Sequence, residues 1–300
     1  MPRRPLYRDR SEQWLTMLSR KLRSPDTIRT YRTSLKFAWE FAQASGWPSD
    51  PRKIQPEHIW ALYQELAHMS TSTQKTYIWT VLKFLSWSGN TNIQDIELRI
   101  TVQRSRVDWL TVEQVGQLVA ACRTPYERAA IAVMAYTGAR AGETAQLRMS
   151  EAQPEQLILR GKGRKERAVP VDTEFWETIG KYLEYRSKMR TSSKRFLVHL
   201  WRGRTVEFNR RSIGSLVTTV AKRCGFHCSP HTIRRSFLRH LWLNGCSVEQ
   251  IQRIAGHSSI DMTIRYLGIG EFDLKAAIEH YRPSYAKTYR EQEGQQGTHR

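Results

Sequence analysis

Apolar residues recur at helical spacing in four segments of the first hundred residues. In one segment Ile28, Leu35 and Ala42 lie seven residues apart, and similar series occupy residues 59–66 and 77–85. Seven residues are about two helical turns, so such side chains share one face of an α-helix and can pack on a core. The pattern predicts four amphipathic helices between about residues 9 and 88.

Residues typical of helix starts and helix ends also occur near the other end of the chain. Ser229 followed by Pro230 is typical of an N-cap and a first helical position, and Gly245 ends the apolar series that follows. A second helix is predicted over residues 248–255, between a capping-box pattern and another glycine. We expect a third, short helix around Tyr266.

The middle of the chain divides these helical regions. Residues 101–108 are polar and basic without a helical period, and Thr111 then resembles an N-cap. The sequence therefore predicts a helical domain at 1–100, a linker at 101–108, a second domain at 109–285 and a polar, disordered tail at 286–300.

The fold class follows from these segments together with two short strands. Leu157–Arg160 and Arg167–Val171 are the predicted strands, joined by the loop GKGRKE. We predict a mainly α protein, with an N-terminal four-helix domain and a mixed α/β, mostly helical second domain that contains a small antiparallel sheet.

The charge of the chain points to a polyanionic partner. The 300 residues include 48 Lys and Arg against 28 Asp and Glu, which gives a formal net charge of +20 spread over both halves. Such an excess is typical of proteins that bind nucleic acid. A ribosomal or nucleoid protein would share it, but ten Trp and well-formed amphipathic helices favour a folded domain pair.

Basic residues occupy the helix faces opposite the apolar stripes, with few acids among them. Such residues can be a solvated surface, yet the scarcity of acids favours phosphate contacts for several of them. The predicted DNA contacts are Arg29, Arg32, Lys36, Lys75 and Lys83 in the first domain and Arg164, Lys165 and Arg235 in the second.

Membrane and metal chemistry find little support in the sequence. There is no run of about 18 apolar residues and no apolar segment near the start, so we expect neither a membrane partner nor a secretory signal, and a cytoplasmic location. Cys224 and Cys228 flank His227, but a second pair of zinc ligands is lacking nearby. We predict reduced thiols, no metal and no cofactor.

The stretch 231–266 gathers side chains that can act on a phosphodiester. His231 and Arg234 lie three residues apart, so they leave the first turn of one helix as neighbours. His257 follows a predicted helix stop directly, and Tyr266 lies nine residues further on. Element ends are where sites commonly lie, so this stretch is a candidate active site.

Two further segments carry candidate chemistry. Arg140 and Glu143 lie three residues apart just past Gly138, where an ordinary salt bridge is the alternative interpretation. Lys162 stands between two glycines in the predicted hairpin loop. A loop of this kind is more often a general phosphate contact than a catalytic element.

Taken together, these motifs resemble those of the tyrosine recombinase (phage integrase) family. The matching segments, in order, are TGARAGE, GKGRKERAVP, HTIRR, AGHSS and Tyr266. The resemblance implies a core-binding domain followed by a catalytic domain, which clamp double-stranded DNA and act as a tetramer on two sites. It also implies site-specific cleavage and rejoining through a 3′-phosphotyrosyl intermediate, without a metal or cofactor.

The always-charged residues of the motifs suit the phosphate. Arg140 and Arg234 offer planar forks that match the two non-bridging oxygens. Glu143 is expected to orient these arginines. Arg235 follows Arg234 on the helix but is expected to point about 100° away, toward the DNA backbone rather than the scissile phosphate.

The remaining roles concern the reacting atoms. Tyr266 is suited to be the nucleophile, since its phosphate ester conserves the energy needed for religation. The family resemblance implies that Lys162 protonates the departing 5′-hydroxyl, that His231 handles the tyrosine proton, and that His257 hydrogen-bonds the phosphate. Tyr281, Tyr285 and Tyr289 are competing tyrosines, but the spacing from His257 favours Tyr266.

Several alternatives remain open at the level of sequence. We expect no separate arm-binding domain, which favours the two-domain Xer-like recombinases, small integrases and resolvases. Apolar residues at 272–278 predict a terminal helix that docks on a neighbouring subunit or on its own domain. Type IB topoisomerase-like relaxation, a non-cleaving DNA-binding relative and a purely architectural protein are the competing functions. Integration, excision and resolution are not distinguished, nor is the need for a partner recombinase.

Overall fold

A computed structural model describes residues 6–21, 24–96, 109–161 and 166–268. By the density of its contacts the chain divides into two compact units, residues 1–105 and 106–300. No helix in the described ranges is both long and apolar enough to cross a lipid bilayer. The predicted terminal helix, the 286–300 tail and the 101–108 linker lie outside the described residues, so the proposed domain bounds stay a prediction.

The first unit contains the four predicted α-helices. They are α1 (Leu6–Arg20), α2 (Pro25–Ala44), α3 (Pro56–Glu65) and α4 (Thr71–Trp87). Ser24 caps α2 by accepting a hydrogen bond from the Thr27 N–H, and Pro25 occupies the first position. The buried core includes stacked and edge-on aromatic rings, among them Trp39, which lies 5.3 Å from Phe84 between ring centroids. The mainly α class with an N-terminal four-helix domain is confirmed.

The second unit is helical around a small sheet. Its helices are α5 (Val112–Ala120), α6 (Pro125–Thr137), α7 (Ala141–Gln146), α8 (Thr173–Ser187), α9 (Arg210–Arg223), α10 (Pro230–Leu243), α11 (Val248–Ala255) and α12 (Ile260–Leu267). Its strands are β1 (Ala152–Gln153), β2 (Gln156–Arg160), β3 (Glu166–Pro170), β4 (Val198–Trp201) and β5 (Arg204–Glu207).

The predicted hairpin forms two strands of an antiparallel sheet. Strands β1, β2 and β3 lie in chain order, and Leu157 pairs with Val169 in the register of β2 and β3. Both of these side chains are buried. Their neighbours along each strand are less buried, so burial alternates from residue to residue. The strand bounds differ from the prediction by one residue at the start of β2 and at both ends of β3.

A second hairpin, β4–β5, was not predicted. Trp201 pairs with Arg204, so the connection is the two-residue turn Arg202–Gly203, with φ of 48° and 74°. Positive φ at both residues is the type I′ turn that matches strand twist. Asparagine usually occupies its first position, so an Arg-Gly pair gave little signal in the sequence.

The second unit has two separate apolar clusters among its described residues. The larger one is built around α6, with Phe175 of α8 and Val217 of α9 fully buried against it. The smaller one joins α10, α11 and α12. Its buried members are Leu238, Ile251, Ala255 and Leu267.

Candidate active site

Five of the six predicted catalytic residues are described, and they lie at the ends of four helices. Arg140 is the N-cap of α7, His231 and Arg234 begin α10, His257 follows α11, and Tyr266 ends α12. Lys162, together with Arg164 and Lys165, lies outside the described residues.

The backbone before Arg140 is fixed by a glycine. Gly138 ends α6 in the left-handed region at φ +61°, and a Cβ there would lie 2.6 Å from Cδ1 of Phe237. Its carbonyl accepts a hydrogen bond of 2.5 Å from Nη1 of Arg234. The turn that presents one arginine of the site therefore also binds the other.

Glu143 is a buried carboxylate that holds two arginines. It accepts hydrogen bonds from the backbone N–H and Nη1 of Arg140, at 2.8 and 2.7 Å. Nη1 and Nη2 of Arg167 reach its two oxygens at 3.0 and 2.8 Å. Burial alone would raise the pKa of Glu143, but the Arg167 fork and then Arg140 lower it to about 2. The carboxylate is ionised and bonds to Arg140 and Arg167, while its expected role in orienting the arginines stays a prediction.

Arg167 was not among the predicted site residues. Besides binding Glu143, it donates from Nε to the carbonyl of Ile254 at 2.7 Å, and so connects β3 with α7 and with the end of α11. The sequence feature that could have identified Arg167 is the alternation of inward and outward side chains along β3. This alternation places Arg167 on the same face as buried Val169. A basic residue at an inward-facing strand position requires a buried partner.

Arg234 has no exposed surface, although it is charged. Nη2 donates to the carbonyl of Ala255 at 2.7 Å and to Nε2 of His257 at 3.0 Å. Burial, followed by repulsion from Arg140 and Arg167, lowers the pKa of Arg234 to about 10. The guanidinium stays protonated at neutral pH. Its buried Nε–H has no hydrogen-bond partner among the described residues.

His257 is held in one tautomer by its two neighbours. A guanidinium only donates, so Nε2 accepts from Arg234 and Nδ1 donates to Oγ1 of buried Thr263, 2.9 Å away. Burial and the nearby arginines, Arg234 first, lower the pKa of His257 to about 4. A hydrogen bond from His257 to a phosphate oxygen, as predicted, would require Nε2 to leave Arg234 and to carry a proton.

Tyr266 lies against this cluster within the same chain. Its ring centroid is 4.8 Å from that of His257 and 5.7 Å from Cζ of Arg234. Cζ of Arg235 is 5.8 Å from the same centroid. Arg235 therefore lies beside the candidate nucleophile, and its expected contact with the DNA backbone stays a prediction.

His231 is exposed at the edge of the cluster. Partial loss of hydration, and then the positive charges of Arg234 and Arg235, lower the pKa of His231. A neutral imidazole can accept a proton, which is compatible with the proton-handling role that the family resemblance implies.

Three of the predicted DNA contacts in the first unit form exposed ion pairs. Arg32 binds Glu12 at 2.9 Å, Nζ of Lys36 lies 3.8 Å from Glu40, and Arg29 pairs with Asp26. We expected few acidic residues near these basic side chains, but each of the three has an acidic partner. Exposed pairs contribute only about 0–1 kcal/mol, so phosphate can compete for the same side chains. Their role on DNA stays a prediction.

The other two contacts in the first unit lie on α4 beside aromatic rings. Lys75 and Lys83 are exposed, and Nζ of Lys83 is 6.0 Å from the ring centroids of Tyr31 and of Trp79. Trp79 itself is 53% exposed and lies between the two lysines at four-residue spacing. This face combines positive charge with an exposed aromatic ring, which fits contact with nucleic acid.

The candidate zinc ligands Cys224, His227 and Cys228 do not form a metal-binding group in the described part of the chain. Within the described ranges there is no group of three or more His, Cys, Asp or Glu side chains that could bind a metal ion. All four thiols are free, and burial raises the pKa of Cys122 and Cys228 to about 12. The expectation that no metal or cofactor is needed stays a prediction.

Guanidinium groups lie around a tyrosine and a neutral histidine at this candidate site. Among the described residues, Arg140 and Arg167 pair with Glu143 while Arg234 and Arg235 lie beside the Tyr266 ring, and this excess of positive charge suits a negatively charged substrate and transition state. A sequence model described as the phage integrase family matches residues 108–270. The chain belongs to this family, and the resemblance to the tyrosine recombinases is confirmed.

Curated relatives are similar over most of the chain. Tyrosine recombinase XerC of Thermodesulfovibrio yellowstonii is 28% identical over 281 residues, which cover 87% of this chain and 91% of the relative. Tyrosine recombinase XerA of Thermococcus kodakarensis is 25% identical over 283 residues, covering 80% and 96%. These relatives place the chain among enzymes that break and rejoin DNA.

Solved structures share the two-domain fold. The crystal structure of XerA recombinase aligns with a TM-score of 0.54 at 25% identity, covering 92% of this chain and 100% of that one. The XerH recombinase bound to its palindromic difH substrate, in a post-cleavage complex, aligns with a TM-score of 0.69 at 18% identity, covering 85% and 80%.

Proposed function

We propose that this chain is a site-specific recombinase whose own Tyr266 attacks the DNA strand bound at its own arginines. The observation that carries the proposal is the position of the Tyr266 ring, 4.8 Å from the His257 ring and 5.7 Å from Cζ of Arg234 in the same chain. A nucleophile held beside its phosphate-binding residues needs no partner subunit for its delivery.

The phosphate is held by residues that are already positioned. Arg140 is aligned by Glu143, and Arg234 is fixed between two carbonyls, so both can bind non-bridging oxygens with little rearrangement. The unpaired, buried Nε–H of Arg234 is a donor that a phosphate oxygen can satisfy. The excess positive charge stabilises the additional charge of the pentavalent transition state.

The chemical step is a transesterification. The Tyr266 oxygen bonds to phosphorus while the bond to the 5′-oxygen breaks, which leaves a 3′-phosphotyrosyl link and a free 5′-hydroxyl. His231, neutral because its pKa is lowered, accepts the tyrosine proton, and Lys162 supplies a proton to the 5′-oxygen. Attack by a 5′-hydroxyl on the phosphotyrosyl link reverses each transfer. Side chains carry every proton and charge, so the step needs no metal or cofactor.

The partners follow from this chemistry and from relatives. Double-stranded DNA is the substrate, and the solved relatives include a λ integrase dimer bound to a core site and a λ integrase tetramer bound to a Holliday junction. We propose that this chain likewise assembles as a homotetramer on two sites, in the cytoplasm with the DNA it recombines. A partner recombinase or accessory factor is compatible with the same site.

The test begins with the DNA site, which can be selected from a randomised duplex pool by binding to the full chain. The selected duplex is then nicked near the cleavage position, so that a short product diffuses away and the covalent complex is trapped. Wild-type protein should give a protease-sensitive shifted band on a denaturing gel. Tyr266→Phe should bind the duplex with unchanged affinity and give no band.

Matched controls are the other tyrosines near the end of the chain. Tyr281→Phe, Tyr285→Phe and Tyr289→Phe should each keep the covalent band. A band in Tyr266→Phe, or its loss in one of these three variants alone, would assign the nucleophile elsewhere. Relaxation of supercoiled plasmid without joint products from two sites would instead favour topoisomerase-like activity.

A further inference from the structure

Arg239 is a second buried arginine of α10, beyond those predicted. Its guanidinium lies against two indole rings, with Cζ 4.7 Å from the Trp109 centroid and 4.6 Å from the Trp242 centroid. The residue is only 6% exposed. A guanidinium in cation–π contact with two tryptophans is constrained in position and orientation.

One hydrogen bond of Arg239 reaches the helix that carries the candidate nucleophile. Nη1 donates to the carbonyl of Leu267 at 2.9 Å, and Leu267 directly follows Tyr266. Helix α12 has only eight residues and ends at Gly268 in the left-handed region. Its last carbonyls lack helical partners, so a cation at this end satisfies one of them and interacts favourably with the helix dipole.

Side chains of α10 thus connect to α12 at two points. In the middle of α12, Thr263 binds His257, which in turn binds Arg234 of α10. At the end of α12, Arg239 binds the Leu267 carbonyl directly. Arg234 and Arg239 of one helix, α10, are therefore both connected to the helix that carries Tyr266.

We propose that Arg239, clamped by Trp109 and Trp242, is a positioning residue that fixes Tyr266 relative to the scissile phosphate. The proposal rests on the assignment of Tyr266 as nucleophile. In this role Arg239 acts through the backbone of α12 and does not bind the phosphate. Its loss should therefore slow the attack of Tyr266 and leave DNA affinity unchanged.

The first test compares Arg239→Met with wild type on the selected nicked duplex. Methionine fills the space between the indoles but removes the charge and the bond to Leu267. We expect the single-turnover rate of covalent complex formation to fall about 10- to 100-fold, because small displacements of a reacting group have effects of this size. The dissociation constant for DNA should change less than threefold. Arg239→Lys, which retains a donor and a charge, should recover part of the rate.

A substrate with a 5′-bridging sulfur separates positioning from acid catalysis. Sulfur leaves without protonation, so this substrate should restore cleavage to Lys162→Ala, the variant that lacks the proposed acid. It should not restore the rate of Arg239→Met, whose defect lies in the approach of the nucleophile.

The matched control is Arg223→Met. Arg223 is also a partly buried arginine near a helix end, where it binds Glu127 and the carbonyl of Ala121, far along the chain from the nucleophile helix. This variant should lower the thermal midpoint and leave the cleavage rate of folded protein unchanged. If Arg239→Met is too unstable to study, Trp109→Ala removes one wall of the clamp and should slow cleavage in the same way.

Three results would overturn the proposal while leaving the proposed function intact. These are wild-type cleavage by folded Arg239→Met, a loss explained by weaker DNA binding, and rescue of that variant by the sulfur substrate. Covalent complex formation by Tyr266→Phe is the separate result that would reject the proposed function itself.

Discussion

Glu143 shows how one buried side chain organises the others at the site. Its carboxylate is 5% exposed and binds the Arg140 backbone, the Arg140 side chain and the fork of Arg167. A buried charge is stable only when it is paired and hydrogen-bonded, and here three connections meet that condition. The arginine that is expected to meet the phosphate is consequently held in place before DNA arrives.

A pH prediction follows from His257 at the same scale. Its folded-state pKa of about 4 lies below the ordinary value near 6.5, so between these values the unfolded chain binds more protons. The free energy of unfolding should fall as the pH is lowered, by roughly 2 kcal/mol between pH 7 and pH 4.5. Glu143, with a pKa of about 2, stays ionised throughout this window.

Urea unfolding of the full chain at several pH values measures this effect. His257→Gln does not titrate, while its amide oxygen can still accept from Arg234, so the dependence on pH should be smaller in this variant. His231→Gln is the companion control, because the pKa of His231 is lowered as well. An unchanged pH dependence in His257→Gln would contradict the assignment of a neutral His257 in the folded state.

At the scale of elements, local signals predicted the helices well. Ser229 and Ser247 cap α10 and α11 as expected, because N-capping depends on residues within the first turn. The glycines after α6 and α11 adopt the left-handed conformation that ends a helix. The sequence did not predict the β4–β5 hairpin, because Arg202 has a φ of 48° in its turn and arginine rarely adopts positive φ.

The contacts of the site were harder to predict than its elements. Arg167 is 24 residues from Glu143 and 87 from Ile254, so its role depends on how β3 packs and not on a local pattern. The tautomer of His257 likewise depends on Arg234 and Thr263, which reach it from two other helices. Family motifs identified which residues gather, and the tertiary structure determines which of them bind each other.

Gly138 provides a prediction for the turn between α6 and α7. In Gly138→Ala, the residue must keep φ near +61° and its Cβ would meet Phe237 at 2.6 Å. We expect a loss of about 2 kcal/mol in the free energy of unfolding, together with slower cleavage because Arg140 is displaced. Urea unfolding and the covalent-complex assay measure the two effects.

The control for this variant is a glycine without either constraint. Gly116 lies within α5, and a Cβ there would have no atom within 4 Å. Gly116→Ala should stabilise the chain by about 0.5–1 kcal/mol and leave cleavage unchanged. Combining Gly138→Ala with Phe237→Leu should recover part of the loss, since it relieves the contact and not the backbone conformation. Equal stability of Gly138→Ala and wild type would show that the turn is not constrained as described.

At the scale of the whole molecule, the net charge of +20 predicts strong dependence of DNA binding on salt. Each phosphate neutralised by Lys or Arg releases a counterion, so about six contacts give a log–log slope near −5. This slope is measured by titrating the selected duplex with the protein at salt concentrations from 50 to 300 mM. Lys75→Gln and Lys83→Gln should each reduce the slope by about 1. Lys188→Gln, which removes an exposed pair with Glu184 on α8, should not.

If DNA affinity hardly changed with salt concentration, so that the slope were near zero, broad phosphate contact by the chain would be contradicted. A normal slope that is unchanged in both α4 variants would instead place the phosphate contacts on other residues. The aromatic ring of Trp79 between the two lysines would then be an isolated surface feature and not part of a DNA-binding face.

The small apolar cluster of α10–α12 has a consequence for the energetics of the native state. With four buried members it is far smaller than the main cluster, and most of α11 and α12 depends on it. Segments with little buried apolar surface open at a lower free energy than the rest of a domain. Native-state hydrogen exchange should therefore show amides of α11 and α12 exchanging through a partial opening while α6 remains protected. In that opened form His257 and Tyr266 leave the arginines together, so the protein would lose its nucleophile without unfolding.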